Sequence, residues 1–149
     1  MKLAIIMPVY NGQDTVRRAV TSIDTKAEFE IICVNDGSTD HTKHELTELQ
    51  KEFPNIKVIH QENQGAARSR NVGLAAMDDD TDAFMFLDAD DQYLPSRIDA
   101  MIQTYENHEE TDIVIGQIGR DVHGEWKVFP THEEIKRDEV VTLERSQEI

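Results

Sequence analysis

The sequence predicts an α/β domain whose mainly parallel sheet is layered between helices. Three observations lead there. Short, near-continuous apolar runs recur along the chain, as in strands buried on both faces. Segments with apolar residues at helical spacing alternate with them. Polar residues with chemical potential follow the apolar runs directly, at the edge where open α/β sheets bind ligands.

The elements follow in order. Leu3–Val9 reads as a buried strand that runs into Tyr10-Asn11-Gly12. Val16, Ala19, Val20 and Ile23 define a helix over 13–23, started by Gly12 or Asp14. Phe29–Asn35 is a second strand, followed by Asp36-Gly37-Ser38-Thr39-Asp40. Thr39 or Asp40 can cap the next helix, which ends near Phe53 before Pro54. Ile56–His60 is a short third strand, and an alanine-rich helix runs from Gly65 to about Met77. An acidic loop, Asp78–Asp82, leads to a fourth strand, Ala83–Leu87. Pro95 is expected at the first position of a helix reaching about Asn107. Asp112–Ile118 is expected as a fifth strand, with Glu125–Phe129 pairing with it or with a later element.

The chain has 149 residues, enough for one domain with a real core. No run of about 18 apolar residues occurs, so no membrane-spanning helix is expected. The apolar start stops at Pro8 and lacks the pattern of a signal peptide. A single cysteine, Cys33, rules out an internal disulfide and allows a reducing compartment. A cytoplasmic location is expected, with attachment to the membrane periphery open to a longer parent. Net charge is −15 and uneven. Residues 1–75 carry nine Lys and Arg against ten Asp and Glu, and residues 76–149 carry six against twenty. The acidic half argues against a nucleic-acid or anionic-membrane partner. Most of these carboxylates serve solubility, while some are candidates to hold a cation.

Three strand ends carry the unusual residues: Pro8-Val9-Tyr10-Asn11, Asn35-Asp36-Gly37-Ser38 and Asp88-Ala89-Asp90. Asp88 and Asp90 stand two apart, so an extended strand would point both carboxylates to one face. Like charges side by side call for a positive partner, and Mg²⁺ or Mn²⁺ suits oxygen ligands. A bare Asp-x-Asp can also be an acidic turn capping a helix; at the end of a buried strand, the cation reading is preferred. Asp36 can accept the imide hydrogen of uracil or the hydroxyls of a ribose, or it can form an Asx turn. Tyr10 offers a flat face for a base, or half-buried packing. Arg68 and Arg70 point to different faces of their helix, so one of them can reach a pyrophosphate. The six histidines show no zinc spacing. Cys33 reads as inert core. The first loop holds one glycine, so neither the dinucleotide fingerprint nor the phosphate-cradling Gly-Lys-Ser/Thr loop is present.

Four stretches together resemble the N-terminal part of the family-2 glycosyltransferases. They are Ile6-Met7-Pro8-Val9-Tyr10-Asn11, Val34-Asn35-Asp36-Gly37-Ser38-Thr39-Asp40, Asn63-Gln64-Gly65 through Ser69-Arg70-Asn71-Val72-Gly73, and Leu87-Asp88-Ala89-Asp90-Asp91. They run in family order over roughly residues 3–118. The resemblance implies the Rossmann-like three-layer α/β/α architecture of the A-type glycosyltransferase fold. It also implies an inverting transfer from a nucleotide sugar, UDP-linked in the simplest case, as in polysaccharide biosynthesis. Pro8, Val9, Tyr10, Asn11, Asp36, Arg70, Asp88 and Ala89 would contact the nucleotide, with Tyr10 and Asp36 on the base. Asp88 would lie by the ribose and metal, and Asp90 would bind Mn²⁺ or Mg²⁺ directly.

In the family, a carboxylate base follows the metal motif by several tens of residues. This chain ends at Ile149, about sixty residues beyond Asp90. The acidic pairs Glu133-Glu134 and Asp138-Glu139 come too early for that role. The expectation is therefore a nucleotide-sugar-binding domain over 1–118, an incomplete acceptor-side segment over 119–149, and no catalytic residue inside the chain. The acceptor, whether glycan, lipid-linked group or protein, is left open. An unfinished edge near the fifth strand and Trp126 suggests self-association. Two other readings compete: a nucleotide-binding module without transfer activity, and a nucleotidyltransferase. The latter would want a Gly- and Lys/Arg-rich loop after the first strand.

Overall fold

The computed structural model describes residues 1–108, 110–116, 118–122 and 125–129. The chain divides into two compact units, Met1–Gln103 and Thr104–Ile149.

The first unit is built on a parallel sheet of four strands in the order β3-β2-β1-β4. The strands are β1 Lys2–Val9, β2 Glu28–Asp36, β3 Ile56–Gln61 and β4 Ala83–Phe86. The helices between them are α1 Val16–Thr21, α2 Thr42–Glu52 and α3 Ala66–Ala75, with α4 Arg97–Glu106 after β4. β1 and β2 pair from Lys2↔Glu28 to Val9↔Asn35, so their C-terminal ends lie level.

The two faces of the sheet separate by residue parity, as the pleat requires. On β1 and β2, Leu3, Ile5, Met7, Val9, Ile31 and Cys33 face a large core with Val16 and Ala19 of α1, Leu46 and Leu49 of α2, and Ile98 of α4. Ala4, Ile32 and Val34 face the other side, under Val72 of α3 with Ala76 and Met77 beyond it. Because both faces are covered, these strands read as unbroken apolar runs rather than alternating ones. Helix α3 sits close to the sheet because Gly73 has no side chain: a Cβ there would lie 2.4 Å from Cγ2 of Ile6. Burial pushes the Cys33 thiol up to about 12, which keeps it protonated and unreactive.

The acidic loop after α3 is tied down by lysines at the start of the strands. Lys2 Nζ reaches Asp78 at 3.0 Å and Asp80 at 2.6 Å. Lys57 Nζ reaches Asp78 at 2.5 Å and the buried Glu30 at 2.7 Å. Two lysines thus offset part of the charge of three carboxylates at the edge of the sheet away from the C-terminal strand ends.

Several boundaries differ from the sequence reading. Helix α1 is shorter than 13–23, because the Gly12 carbonyl accepts from both Thr15 N and Val16 N and starts the helix late. At α2 the expectation for Asp40 holds, since its Oδ1 accepts from Thr42 N at 2.9 Å, although the residue flanking the helix is His41, which makes no side-chain cap. Pro95 does not open α4, since Ser96 after it takes a left-handed φ of 61° and the helix begins at Arg97. The expected strand Asp112–Ile118 is not formed: residues 112–116 are irregular. In the second unit β5, Ile118–Val122, pairs antiparallel with β6, Glu125–Phe129, from Ile118↔Phe129 to Val122↔Glu125. A short apolar run carries no period that fixes it as strand, and cross-strand pairing decided where the hairpin lies. Glu133, Glu134, Asp138 and Glu139 lie outside the described residues, as does the side chain of Trp126.

Candidate nucleotide-binding site

A cleft of about 420 Å³ opens at the C-terminal edge of the parallel sheet. It is lined by the strand-one end Pro8-Val9-Tyr10-Asn11, by Gly12 and Thr15, by Asp36, by Ala66, Ser69 and Arg70 of α3, and by Asp88, Ala89 and Asp90. Every site residue singled out from the sequence therefore borders one cavity. Arg68 does not line it and is exposed.

The loop after β1 is shaped by the loop after β2. Asn11 takes a left-handed φ of 51°, a conformation that Asn tolerates better than most side chains. Its N–H donates to Ser38 Oγ at 3.0 Å, and its Oδ1 accepts from Thr39 N at 2.8 Å. Gly12 N donates to Thr42 Oγ1 at 2.7 Å, so the start of α2 also holds this loop. Tyr10, half exposed at 53%, stands beside these anchored residues at the mouth of the cleft.

Asp36 is 3% exposed, yet borders the cavity. Its Oδ1 accepts from Gln61 Nε2 at 2.7 Å and Gln64 N at 2.9 Å, and its Oδ2 accepts from Gly65 N at 2.8 Å. Burial opposes ionisation, but the donors Gln61, Gln64 and Gly65 outweigh it and hold the carboxyl below its ordinary value. Gly37, at φ 70°, lets the 62–65 loop pass directly overhead: a Cβ would lie 2.7 Å from Asn63 N.

On the opposite wall, Arg70 donates to Asp88 Oδ1 at 2.5 Å. Its guanidinium also lies 5.7 Å from the centroid of the Phe86 ring. Phe86 in turn meets Phe84 edge-on, with ring centroids 5.4 Å apart. β4 ends at Phe86, and Asp91 N bonds back to Asp88 O at 3.0 Å. The segment Asp88–Asp91 is therefore a turn rather than extended strand, and it is this turn that brings Asp88 and Asp90 to the same cleft. Arg18 of α1 donates to the Asp90 carbonyl at 3.5 Å. Asp91 has a raised pKa, from partial burial first and then from Asp90 and Asp88. The pair expected to need a cation already has one charge matched by Arg70.

Among the described residues, no three His, Cys, Asp or Glu side chains converge as a closed metal cage. Asp88 and Asp90 offer hard oxygen donors on an open cleft. That donor set fits a divalent ion which keeps waters and shares its remaining positions with phosphate oxygens. Gly12, Thr15, Ala66 and Ser69 were not anticipated as lining residues. The grip of Gln61, Gln64 and Gly65 on Asp36 was not anticipated either. Gln64, Gly65 and Ser69 stand within a motif stretch but have no chemistry until the chain is folded.

The layered sheet and its cleft define a domain of the A-type glycosyltransferase fold. The model of the family described as "Glycosyl transferase family 2" matches residues 4–147, and the chain belongs to that family. It is 37% identical over 147 residues to "Putative glycosyltransferase TagX" of Staphylococcus aureus, a match covering 96% of this chain and 42% of TagX. It is 34% identical over 117 residues to "Uncharacterized glycosyltransferase alr2836" of Nostoc, covering 76% of this chain and 36% of that protein. Residues 1–349 of S. aureus TarS, solved in complex with UDP, superpose with a TM-score of 0.63 at 28% identity, covering 73% of this chain and 33% of that one. The chain thus spans less than half the length of these relatives. No described helix is long and apolar enough to cross a membrane.

Proposed function

We propose that this chain is the donor-binding part of an inverting, metal-assisted glycosyltransferase that takes a UDP-sugar and delivers the sugar to an acceptor hydroxyl. The observation that carries this reading is the convergence of Asp36, Arg70, Asp88 and Asp90 on one cleft at the strand ends. The UDP complex of TarS, a protein of the same fold, supports the choice of nucleotide.

Tyr10 stacks on the base and Asp36 accepts the imide hydrogen of uracil. Pro8, Val9, Asn11 and Ala89 shape the walls around the nucleoside. Arg70 is positioned to exchange its carboxylate partner for a diphosphate oxygen, which releases Asp88 towards the ribose and the cation. Asp90 is the direct ligand of Mn²⁺ or Mg²⁺. When bound, the ion neutralises charge on the departing diphosphate. Asp36, Asp88 and Asp90 are all engaged with nucleotide or cation in this reading. The base that deprotonates the acceptor must come within hydrogen-bond reach of the attacking hydroxyl, and no described cleft residue is left for it. In this reading the described cleft binds the donor, and the base that completes transfer lies outside it.

The test compares this chain with a longer parent, on a panel of sugar nucleotides and acceptors. Donor binding without multiple-turnover transfer by residues 1–149 is expected. Transfer at the parent's rate would place the base inside the chain and make Glu133, Glu134, Asp138 and Glu139 the first candidates.

A further inference from the structure

Asp36 sits in a closed ring of hydrogen bonds. Gln61 Nε2 donates to Asp36 Oδ1 at 2.7 Å and to Ser69 Oγ at 3.3 Å. Ser69 Oγ donates to the Gly65 carbonyl at 3.1 Å, and Gly65 N donates back to Asp36 Oδ2 at 2.8 Å. An ionised carboxylate only accepts, so the Gln61 amide has to turn its nitrogen towards Asp36. That nitrogen has two hydrogens, and both are used. Ser69 is fully buried, so its hydroxyl has no water to turn to. With Gln64 N added, Oδ1 receives two donors while Oδ2 receives one. A carboxylate oxygen has two lone pairs, so the spare acceptor capacity lies on Oδ2.

We propose that Gln61 and Ser69 are positioning residues that set the base preference of the cleft, by locking Asp36 as an ionised acceptor with one free lone pair on Oδ2. This rests on the reading of Asp36 as the base contact. A locked acceptor suits uracil, whose N3 carries a hydrogen. It rejects cytosine, whose N3 is itself an acceptor. Freed from the ring, the carboxylate can rotate or take up a proton, and a protonated Asp36 donates as well as accepts. Discrimination between the two bases then falls. Neither Gln61 nor Ser69 has to touch the nucleotide for this to happen.

The experiment is calorimetric titration of the chain with UDP and with CDP, across a pH series, for wild type, D36N, Q61L and S69A. Wild type should prefer UDP. D36N should lose that preference, because two donors at Oδ1 favour placing the amide nitrogen at Oδ2, where it donates. Q61L should lower the UDP-to-CDP affinity ratio by about tenfold, the scale of one hydrogen bond to a charged group. S69A should lower it less, by releasing Gln61 rather than removing it. In Q61L, acid weakening of UDP binding should begin at higher pH than in wild type, because Asp36 stays buried with one donor fewer. A loss of general packing would move neither the ratio nor this acid limb. If Q61L does not fold, Q61M and S69A carry the same comparison. Wild-type ratio and acid limb in folded Q61L or Q61M and in S69A would overturn the proposal while leaving Asp36 as the base contact. No UDP preference in wild type, or an unchanged ratio in D36N, would instead remove the base contact and the proposal with it.

Discussion

Asp36 joins the folding of the cleft to the base contact proposed for it. It is buried at the end of β2 and holds the 62–65 loop through backbone N–H groups of Gln64 and Gly65. Any substitution that removes its acceptors therefore costs stability. Asp36→Ala should destabilise the fold by about 2–4 kcal/mol, since two loop N–H groups and the Gln61 amide lose an ionised partner. Thermal unfolding against wild type measures this. Gly37→Ala should also be severe, because it combines a φ of 70° with a Cβ placed 2.7 Å from Asn63 N. Acid gives a related signature. Asp36 and Asp40 both have carboxyls held below their ordinary value by hydrogen bonds that outweigh burial. A depressed folded pKa contributes stability that is complete above the unfolded value, near 4, and is lost as pH falls through the folded value. Melting temperature should accordingly fall steeply below about pH 4 in wild type. In Asp40→Asn that acid-dependent fall should be smaller. An identical acid profile in Asp40→Asn would show that Asp40 contributes nothing to it.

At the level of elements, helix α3 does most to build the site. It carries Ser69 and Arg70 on the turn next to the cleft and Gly73 one turn further on. The absent side chain of Gly73 sets the distance of that helix from β1. Gly73→Ala should cost about 1–3 kcal/mol by overpacking against Ile6. It should weaken UDP binding at the same time, because Ser69 and Arg70 move with the helix. Chemical denaturation and calorimetry on the same variant test both effects; a stability loss with unchanged affinity would separate the helix position from the site. The strands and helices up to α4 were legible in the sequence because a sheet buried on both faces writes itself as apolar runs. Asp40 was legible as a residue that can cap α2, while the first residues of α1 and α4 were not, because the turns after Gly12 and at Ser96 are set by backbone geometry that composition does not reveal. The hairpin of β5 and β6 was only half legible. Glu125–Phe129 was recognised as a strand, while Ile118–Val122 carries Gly119, Arg120 and Asp121 and has little apolar signal.

At the scale of the whole molecule, the charged side chains of the first unit fall into two arrangements. At the strand starts, Lys2 pairs with Asp78 and Asp80, and Lys57 pairs with Asp78 and Glu30. At the strand ends, Arg70 pairs with Asp88, and among the described residues the Asp90 carboxylate has no cationic partner in the cleft it borders. The half-exposed Arg70–Asp88 pair contributes about 1 kcal/mol or less, so a diphosphate and a cation can take it apart at small cost. The sequence pointed to the residues of this cleft because strand ends in an open α/β sheet converge on one edge. It could not show that Asp88 is already paired, or that a turn rather than an extended strand presents Asp90. The central claim is that this edge holds a nucleoside diphosphate together with a divalent cation. Calorimetric titration of UDP into the chain, with Mn²⁺ and again after chelation, tests it most directly. Binding that weakens sharply on chelation in wild type, and is insensitive to the metal in folded Asp90→Ala, is the predicted result. Equal UDP affinity with and without metal in wild type would contradict it.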